Sequence, residues 1–178
     1  MERFVEDSSA LTKSFFSVEP VAHLEEADVA GLCEISQKAS GPARYNLHGS
    51  PADELHCMVI LQPRRTYSQP RMHKLKAKSF HLIAGEMVVV SFKDDGGVAT
   101  VHHLSAGKTL IVRIAPGIQH TNYSISEQAV YHEVIAGPYE PAADDRCYAD
   151  FAPATEDQLS GQAWIEGIIE SRQPGLFT

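Results

Sequence analysis

Short apolar segments separated by glycine-containing turns fill the middle of the chain. The turns include Ala84-Gly85, Asp94–Gly97 and Ser105–Gly107. Strands at roughly 8 to 12 residue spacing with such turns are typical of a β sandwich or barrel, and no helical pattern interrupts them. The pattern therefore predicts a mainly β fold. The predicted strands span residues 55–61, 79–83, 87–92, 98–104, 110–114 and 129–135.

Amphipathic helices are predicted on both sides of the strands. Residues 23–39 carry apolar positions at roughly helical spacing, and Gly41-Pro42 would end that helix. The sequence Thr155–Gln158 has the form of a capping box, and an apolar stripe follows it. Residues 1–20 show no sustained period and are predicted to form an arm. The predicted organisation is an arm (1–20), a barrel with a leading helix (21–155), and a C-terminal helix and tail (156–178).

Apolar side chains in both flanks indicate a further packing partner. Phe15 and Phe16 lie in the arm, and Trp164, the one tryptophan of the chain, lies in the C-terminal helix. A closed barrel has little apolar surface of its own left to cover. We therefore expect a homodimer in which these flanks contribute to the interface.

The overall charge limits the class of partner. The 178 residues carry a formal net charge of -8, and the isoelectric point is near 5.5. A negative protein is a poor partner for nucleic acid or for an anionic membrane surface. No apolar run approaches the roughly 20 residues that span a bilayer, and the first residues are acidic. A cytoplasmic protein with a small-molecule partner is the expectation.

Candidate chemistry concentrates between Gln69 and Asn122. Arg71, His73 and Lys78 open this stretch, and the segment Pro116–His120 closes it. Imidazole and cationic side chains at the two ends of a strand-rich segment would meet if the segment folds back on itself as a barrel. His73 and His120 are the candidate catalytic residues, as general acid or base.

These residues fall on the spacing of two short cupin motifs. Arg71-Met72-His73, Lys78 and Gly85 match the first motif, and Pro116–His120 with Asn122 matches a shortened form of the second. Within the cupins the chain resembles the WbuC family, through segments at 44–51, near Asp94 and at 132–139. The resemblance implies a cupin-type jelly-roll barrel and a link to bacterial surface-polysaccharide gene sets.

Two positions depart from the cupin pattern. Arg71 stands where the family has its first metal-binding histidine, and Lys78 stands where it has a glutamate. The resemblance implies a divalent metal held by three imidazoles and one carboxylate, of which His73 and His120 remain as candidate metal ligands. A unit charge 4 Å from another interacts by roughly 4 kcal/mol at an effective dielectric of 20, so two cations weaken the case for a metal.

Other side chains could substitute for the missing ligands. His56 and Glu133 are the candidates, with His132 as the alternative to Glu133 because neighbouring strand residues face opposite ways. A carboxylate at Glu133 would restore the lost negative charge. By the same alternation Lys78 faces inward and His81 outward.

The charge change suggests a different ligand. Arginine offers a planar fork suited to carboxylate or phosphate, and lysine adds a point charge, so Arg71 and Lys78 are candidate anion-binding residues. Three hypotheses remain open: an enzyme acting on an anionic sugar or sugar nucleotide, a non-catalytic anion-binding sensor or accessory protein, and a metal-dependent oxygenase with a rebuilt site. These hypotheses differ in whether the protein is an enzyme and in whether it uses a metal cofactor.

Overall fold

Two sheets of mostly antiparallel strands face each other and enclose the interior of the protein. A computed structural model describes residues 3–140 and 145–177. The helices are α1 (Glu26–Ala39) and α2 (Gln158–Arg172). The strands are β1 (Phe4–Glu6), β2 (Lys13–Ser17), β3 (Ala43–Asn46), β4 (Leu55–Pro63), β5 (Arg71–His73), β6 (Lys78–Ala84), β7 (Met87–Phe92), β8 (Val98–Leu104), β9 (Ile111–Ile114), β10 (Gln119–Ser124), β11 (Gln128–Ala136) and β12 (Arg146–Tyr148).

Strand pairing follows the order of a jelly roll. One sheet has seven strands in the order β1-β2-β3-β4-β11-β6-β9, and the other has five in the order β12-β5-β10-β7-β8. Strands adjacent in space are often distant in sequence, as in β4 with β11 and β5 with β10. The mainly β architecture with a leading and a trailing helix is confirmed.

Strand alternation separates the interior from the two outer faces. On β6, Lys78, Phe80 and Leu82 are buried while His81 and Ile83 are exposed, as the period of two predicts. The interior core lies between the sheets, α1 covers the outer face of the seven-stranded sheet, and α2 covers the outer face of the five-stranded sheet. Each of these three layers contains a cluster of buried apolar side chains. The cluster between the sheets includes Phe80, the cluster under α1 includes Leu32, and the cluster under α2 includes Ile165.

The N-terminal segment differs from the predicted arm. Residues 4–17 form β1 and β2, and β2 pairs in parallel with β3, so this segment extends the seven-stranded sheet. Phe15 lies 5.6 Å from the ring of Tyr45, and Phe16 lies 5.4 Å from the ring of His48. Both strands are short, and β2 has Phe15 next to Phe16 with no alternation of apolar and polar residues, so the period is too weak to be recognised.

The C-terminal helix begins later than its sequence suggests. Asp157 caps α2 by accepting a hydrogen bond from the backbone N–H of Ser160 at 3.2 Å. Thr155, predicted as the cap, instead accepts from the backbone N–H of Gln69. Trp164 stacks on Phe92 with ring centroids 5.5 Å apart. The aromatic side chains invoked for a dimer thus pack within the chain, and the homodimer stays a prediction.

Neither α1 nor α2, the two helices in the described residues, is long and apolar enough to cross a bilayer.

Candidate functional site

The predicted site residues come from both sheets. Arg71 and His73 lie on β5 and His120 lies on β10, which are neighbours in the five-stranded sheet, with His120 paired to Arg71. Lys78 on β6 and Glu133 on β11 belong to the opposite sheet. The two ends of the Gln69–Asn122 segment therefore come together side by side in one sheet, and not from facing sheets. Both are buried on the same sheet, and Lys78 and Glu133 come from the facing one.

A buried ion pair replaces the expected metal carboxylate. Lys78 Nζ lies 3.0 Å from Glu133 Oε1, and both side chains are almost fully buried. Burial opposes the ionisation of Glu133, but Lys78 and Arg71 outweigh it and hold the pKa of this carboxyl below its ordinary value. Lys78 also lies over the ring of Phe80, 5.4 Å from its centroid. Glu133, rather than His132, thus occupies the interior.

His120 is buried with one nitrogen engaged and the other bare. Its Nδ1 lies 2.8 Å from the carbonyl oxygen of Ile118, which can only accept, so Nδ1 carries the proton. Nε2 is then an acceptor, and it has no partner among the described residues. Burial, followed by the charge of Lys78, lowers the pKa of His120 to about 3. This imidazole is neutral at pH 7 and is a weak base.

His73 is oriented by a carboxylate that the sequence motif did not reveal. Its Nδ1 lies 3.0 Å from Asp145 Oδ1, while Asp145 Oδ2 accepts from the backbone N–H of Leu75 at 2.7 Å. Burial lowers the pKa of His73, although the hydrogen bond to Asp145 opposes that shift. A neutral His73 donates through Nδ1 to Asp145, which leaves Nε2 with the lone pair.

A small cavity opens beside this cluster. Its volume is about 170 Å³, and two arginines line it: Arg44 from the seven-stranded sheet and Arg71 from the five-stranded sheet. No acidic residue is among the described residues that line it. The other lining residues are Thr12, Pro42, Ala43, Ile60, Gln62, Thr66, Ser68, Asn122 and Tyr131.

The two guanidinium groups differ in how they are held. Arg44 donates through Nε to the hydroxyl of Ser14 at 3.0 Å, and burial lowers its pKa while the charge of Glu133 opposes the shift. Arg71 is partly buried, and within residues 3–140 and 145–177 its side chain has no ion pair or hydrogen bond. Arg71 therefore keeps all five guanidinium N–H donors for a ligand.

The sequence motif identified Arg71 but missed Arg44. Arg44 belongs to the Arg44–Pro51 segment that resembles the WbuC family, and its place on a strand after a helix gives no sign of an inward charge. The parallel pairing of β2 with β3 and the pairing of β3 with β4 turn Arg44 toward the interior. Only the sheet order brings Arg44 to the cavity of Arg71.

His56 lies apart from this cavity. Its ring stacks on His48, with centroids 4.2 Å apart and planes at 5°, and its Nε2 lies 3.1 Å from the carbonyl oxygen of Pro51. The cavity is lined by a different set of the described residues, and it also leaves out Lys78 and Glu133. Of the four predicted ligand-binding residues, the structure places Arg71 on the cavity.

The described residues do not fit the metal set of three imidazoles and one carboxylate. Lys78 Nζ holds Glu133 where a dication would need the carboxylate, and Asp145 engages one nitrogen of His73. Within the described part of the chain, no group of three or more His, Cys, Asp or Glu side chains is arranged to hold a metal ion. A two-imidazole metal site at His73 and His120 stays a prediction.

Similarity to known proteins is clear in fold and limited in sequence. A domain of unknown function (DUF6016) matches residues 27–104, which is less than half of the chain. No curated protein matches the sequence.

Solved structures superpose on part of the chain. CapF from Staphylococcus aureus, a capsular polysaccharide assembling protein, superposes with a TM-score of 0.53 at 15% identity, over 61% of this chain and 29% of CapF. The chain thus spans less than a third of CapF. Bacillus subtilis oxalate decarboxylase OxdC gives 0.48 at 14% identity, over 61% of this chain and 28% of OxdC. DMSP lyase DddQ from Ruegeria pomeroyi gives 0.47 at 18% identity, over 61% of this chain and 52% of DddQ. The strand order of the two sheets, together with the superposition on CapF, identifies this protein as a cupin-fold protein.

Proposed function

We propose that this protein binds a small anionic molecule in the cavity between Arg44 and Arg71. The observation that carries the proposal is that two arginines from opposite sheets line one cavity, whose described lining residues include no carboxylate. Two cations that approach each other in a partly desolvated cavity repel, and an anion between them removes that repulsion. Arginine forks also match carboxylate and phosphate oxygens geometrically.

Lys78 contributes to this site indirectly. Its charge is neutralised by Glu133, so it is not available as a direct anion ligand. Because the carboxylate of Glu133 is paired with Lys78, it competes less strongly with an anionic ligand for Arg71 and Arg44. The ion pair thus protects the positive potential of the cavity.

The size of the cavity narrows the ligand class. Sites for drug-sized ligands have volumes of about 300–1,000 Å³, while this cavity is about 170 Å³. It therefore suits a small acid, or the charged group of a larger molecule, better than a whole sugar nucleotide. An anionic sugar remains within the proposal, and CapF, named for capsular polysaccharide assembly, shares only the fold.

Binding of simple anions tests the proposal. Acetate and phosphate are expected to bind the wild-type protein in an NMR titration, and Arg71→Gln should weaken both by about tenfold or more, since hydrogen bonds to charged groups contribute about 1.5–3 kcal/mol. Arg113→Gln is the matched control. Arg113 is exposed on β9, so this substitution removes the same charge at a position outside the cavity. Equal loss in both variants would contradict a specific site.

A catalytic form of the proposal rests on the pairing of His73 with Asp145. His73 is not among the described residues that line the cavity, but it follows Arg71 by two residues on β5, so both side chains lie on the same face of the strand. We propose His73 as the general base for an acid held by Arg71. Carbon-bound hydrogens of a bound acid should then exchange in D₂O, and His73→Gln should abolish the exchange while leaving binding intact. Exchange that persists in His73→Gln would remove His73 from this role.

A further inference from the structure

A network of hydrogen bonds fixes the orientation of the amides that line the cavity. Gln62 Nε2 lies 3.0 Å from the backbone carbonyl oxygen of Thr66, which can only accept. The amide nitrogen of Gln62 must therefore face Thr66, and Oε1 faces the other way.

The orientation of Gln62 fixes that of Asn122. Gln62 Oε1 accepts from Asn122 Nδ2 at 2.5 Å and from the hydroxyl of Tyr131 at 3.2 Å. Asn122 Nδ2 also donates to the Tyr131 oxygen at 3.1 Å. Both hydrogens of the Asn122 amide are then used, and its nitrogen cannot turn toward the cavity without losing two hydrogen bonds.

One acceptor remains in an otherwise satisfied network. Asn122 Oδ1 has no hydrogen-bond partner in the described part of the chain, although the residue is only 4% exposed. Asn122 lines the cavity together with Arg44 and Arg71. This oxygen is not among the fully buried unpaired atoms of the described residues, so it is open to the cavity and available to a donor from a ligand. The cavity thus offers cationic donors and, in Asn122 Oδ1, a neutral oxygen that can only accept.

We propose that the ligand is a hydroxy acid, whose carboxylate is bound by Arg44 and Arg71 and whose hydroxyl donates to Asn122 Oδ1. This inference rests on the proposed function, because it assigns the chemistry of the same cavity. A hydroxyl is both small enough for the cavity and able to donate, whereas a second carboxylate oxygen would repel the amide oxygen. Asn122 is accordingly the residue that selects hydroxy acids over simple acids.

Matched pairs of acids test the inference without altering the protein. Glycolate is expected to bind the wild-type protein about fivefold more tightly than acetate, and lactate more tightly than propionate by a similar factor, as one additional hydrogen bond to a neutral acceptor implies. Binding of both members with equal affinity would overturn the inference and leave the anion site standing. Failure of all four acids to bind would instead contradict the proposed function itself.

A variant then assigns the selectivity to one atom. Asn122→Ala should remove the difference between glycolate and acetate while acetate still binds through the arginines. Thr66→Val is the control, because its hydroxyl also lines the cavity and has no partner in the described residues. If Thr66→Val removes the difference and Asn122→Ala keeps it, the assignment to Asn122 is wrong. Should Asn122→Ala fail to fold, Ser68→Ala with Thr66→Val still tests whether a hydroxyl of the cavity wall provides the selectivity.

Discussion

Lys78→Met is expected to lower the free energy of unfolding by about 3–5 kcal/mol, because it leaves the carboxylate of Glu133 buried without its partner. Lys78 Nζ lies 3.0 Å from Glu133 Oε1, and the two residues are 4% and 7% exposed. Urea unfolding monitored by fluorescence measures the change. Lys108→Met is the matched control, because Lys108 is exposed on a turn and should change stability by no more than about 0.5 kcal/mol.

The double variant Lys78→Met with Glu133→Leu should recover most of the lost stability, since an apolar pair of similar volume can replace a buried ion pair. Equal destabilisation in the single and double variants would show that the ion pair is not the cause.

Lys78→Glu carries a different expectation from the one that the motif suggests. The sequence alone favours it as a restored metal ligand, whereas the structure places a second carboxylate beside Glu133, so this variant should be less stable than Lys78→Met.

Gly161→Ala is expected to destabilise the protein by about 1–3 kcal/mol, the range for a side chain forced into a filled core. A Cβ at Gly161 would overlap the ring of Tyr67, which is 1% exposed and donates to the carbonyl oxygen of Pro153 at 2.7 Å. Gly167→Ala on the same helix is the control. A Cβ there meets no atom within 4 Å, and the change should raise stability by about 0.5–1 kcal/mol through helix propensity.

The Gly161 contact also bears on ligand binding. Gln158 on α2 accepts from the backbone N–H of Tyr67 and donates to its carbonyl oxygen, and this holds the segment that contains Thr66 and Ser68 at the cavity. Displacement of α2 should therefore weaken acetate binding in Gly161→Ala and leave it unchanged in Gly167→Ala. The close packing at Gly161 predicts that Gly161→Ala lowers the free energy of unfolding and that Gly167→Ala raises it. Similar effects of both substitutions would contradict it.

Local patterns predicted those elements whose side chains show a strong period. Strands β4, β6, β7, β8, β9 and β11 were recognised because apolar runs and glycine-containing turns mark them. Strands β1, β2, β3, β5, β10 and β12 were missed, since they are short or polar and owe their pairing to distant partners. β10 carries His120, Thr121 and Asn122 in succession, a sequence that resembles a loop until the barrel buries it.

The candidate site was predicted in part for the same reason. Spacing identified Arg71, His73, Lys78 and His120, and alternation placed Lys78 inside. Spacing could not show that Lys78 and Glu133 neutralise each other, because they are 55 residues apart. Arg44 and Asp145 were missed as site residues because neither falls on the spacing of the two cupin motifs. The sequence analysis attributed the positive charge of the anion site to Arg71 and Lys78. In the structure, the positively charged residues that line the cavity are Arg71 and Arg44.

The central claim is that Arg44 and Arg71 jointly bind an anion inside the barrel. The most direct measurement is an anomalous difference map from crystals soaked in sodium selenate, a tetrahedral dianion whose selenium atom can be located without ambiguity. The account predicts a peak between the two guanidinium groups, within hydrogen-bonding distance of both, and the loss of that peak in Arg71→Gln. Selenate found only at the outer surface, with the cavity occupied by water alone, would contradict the account.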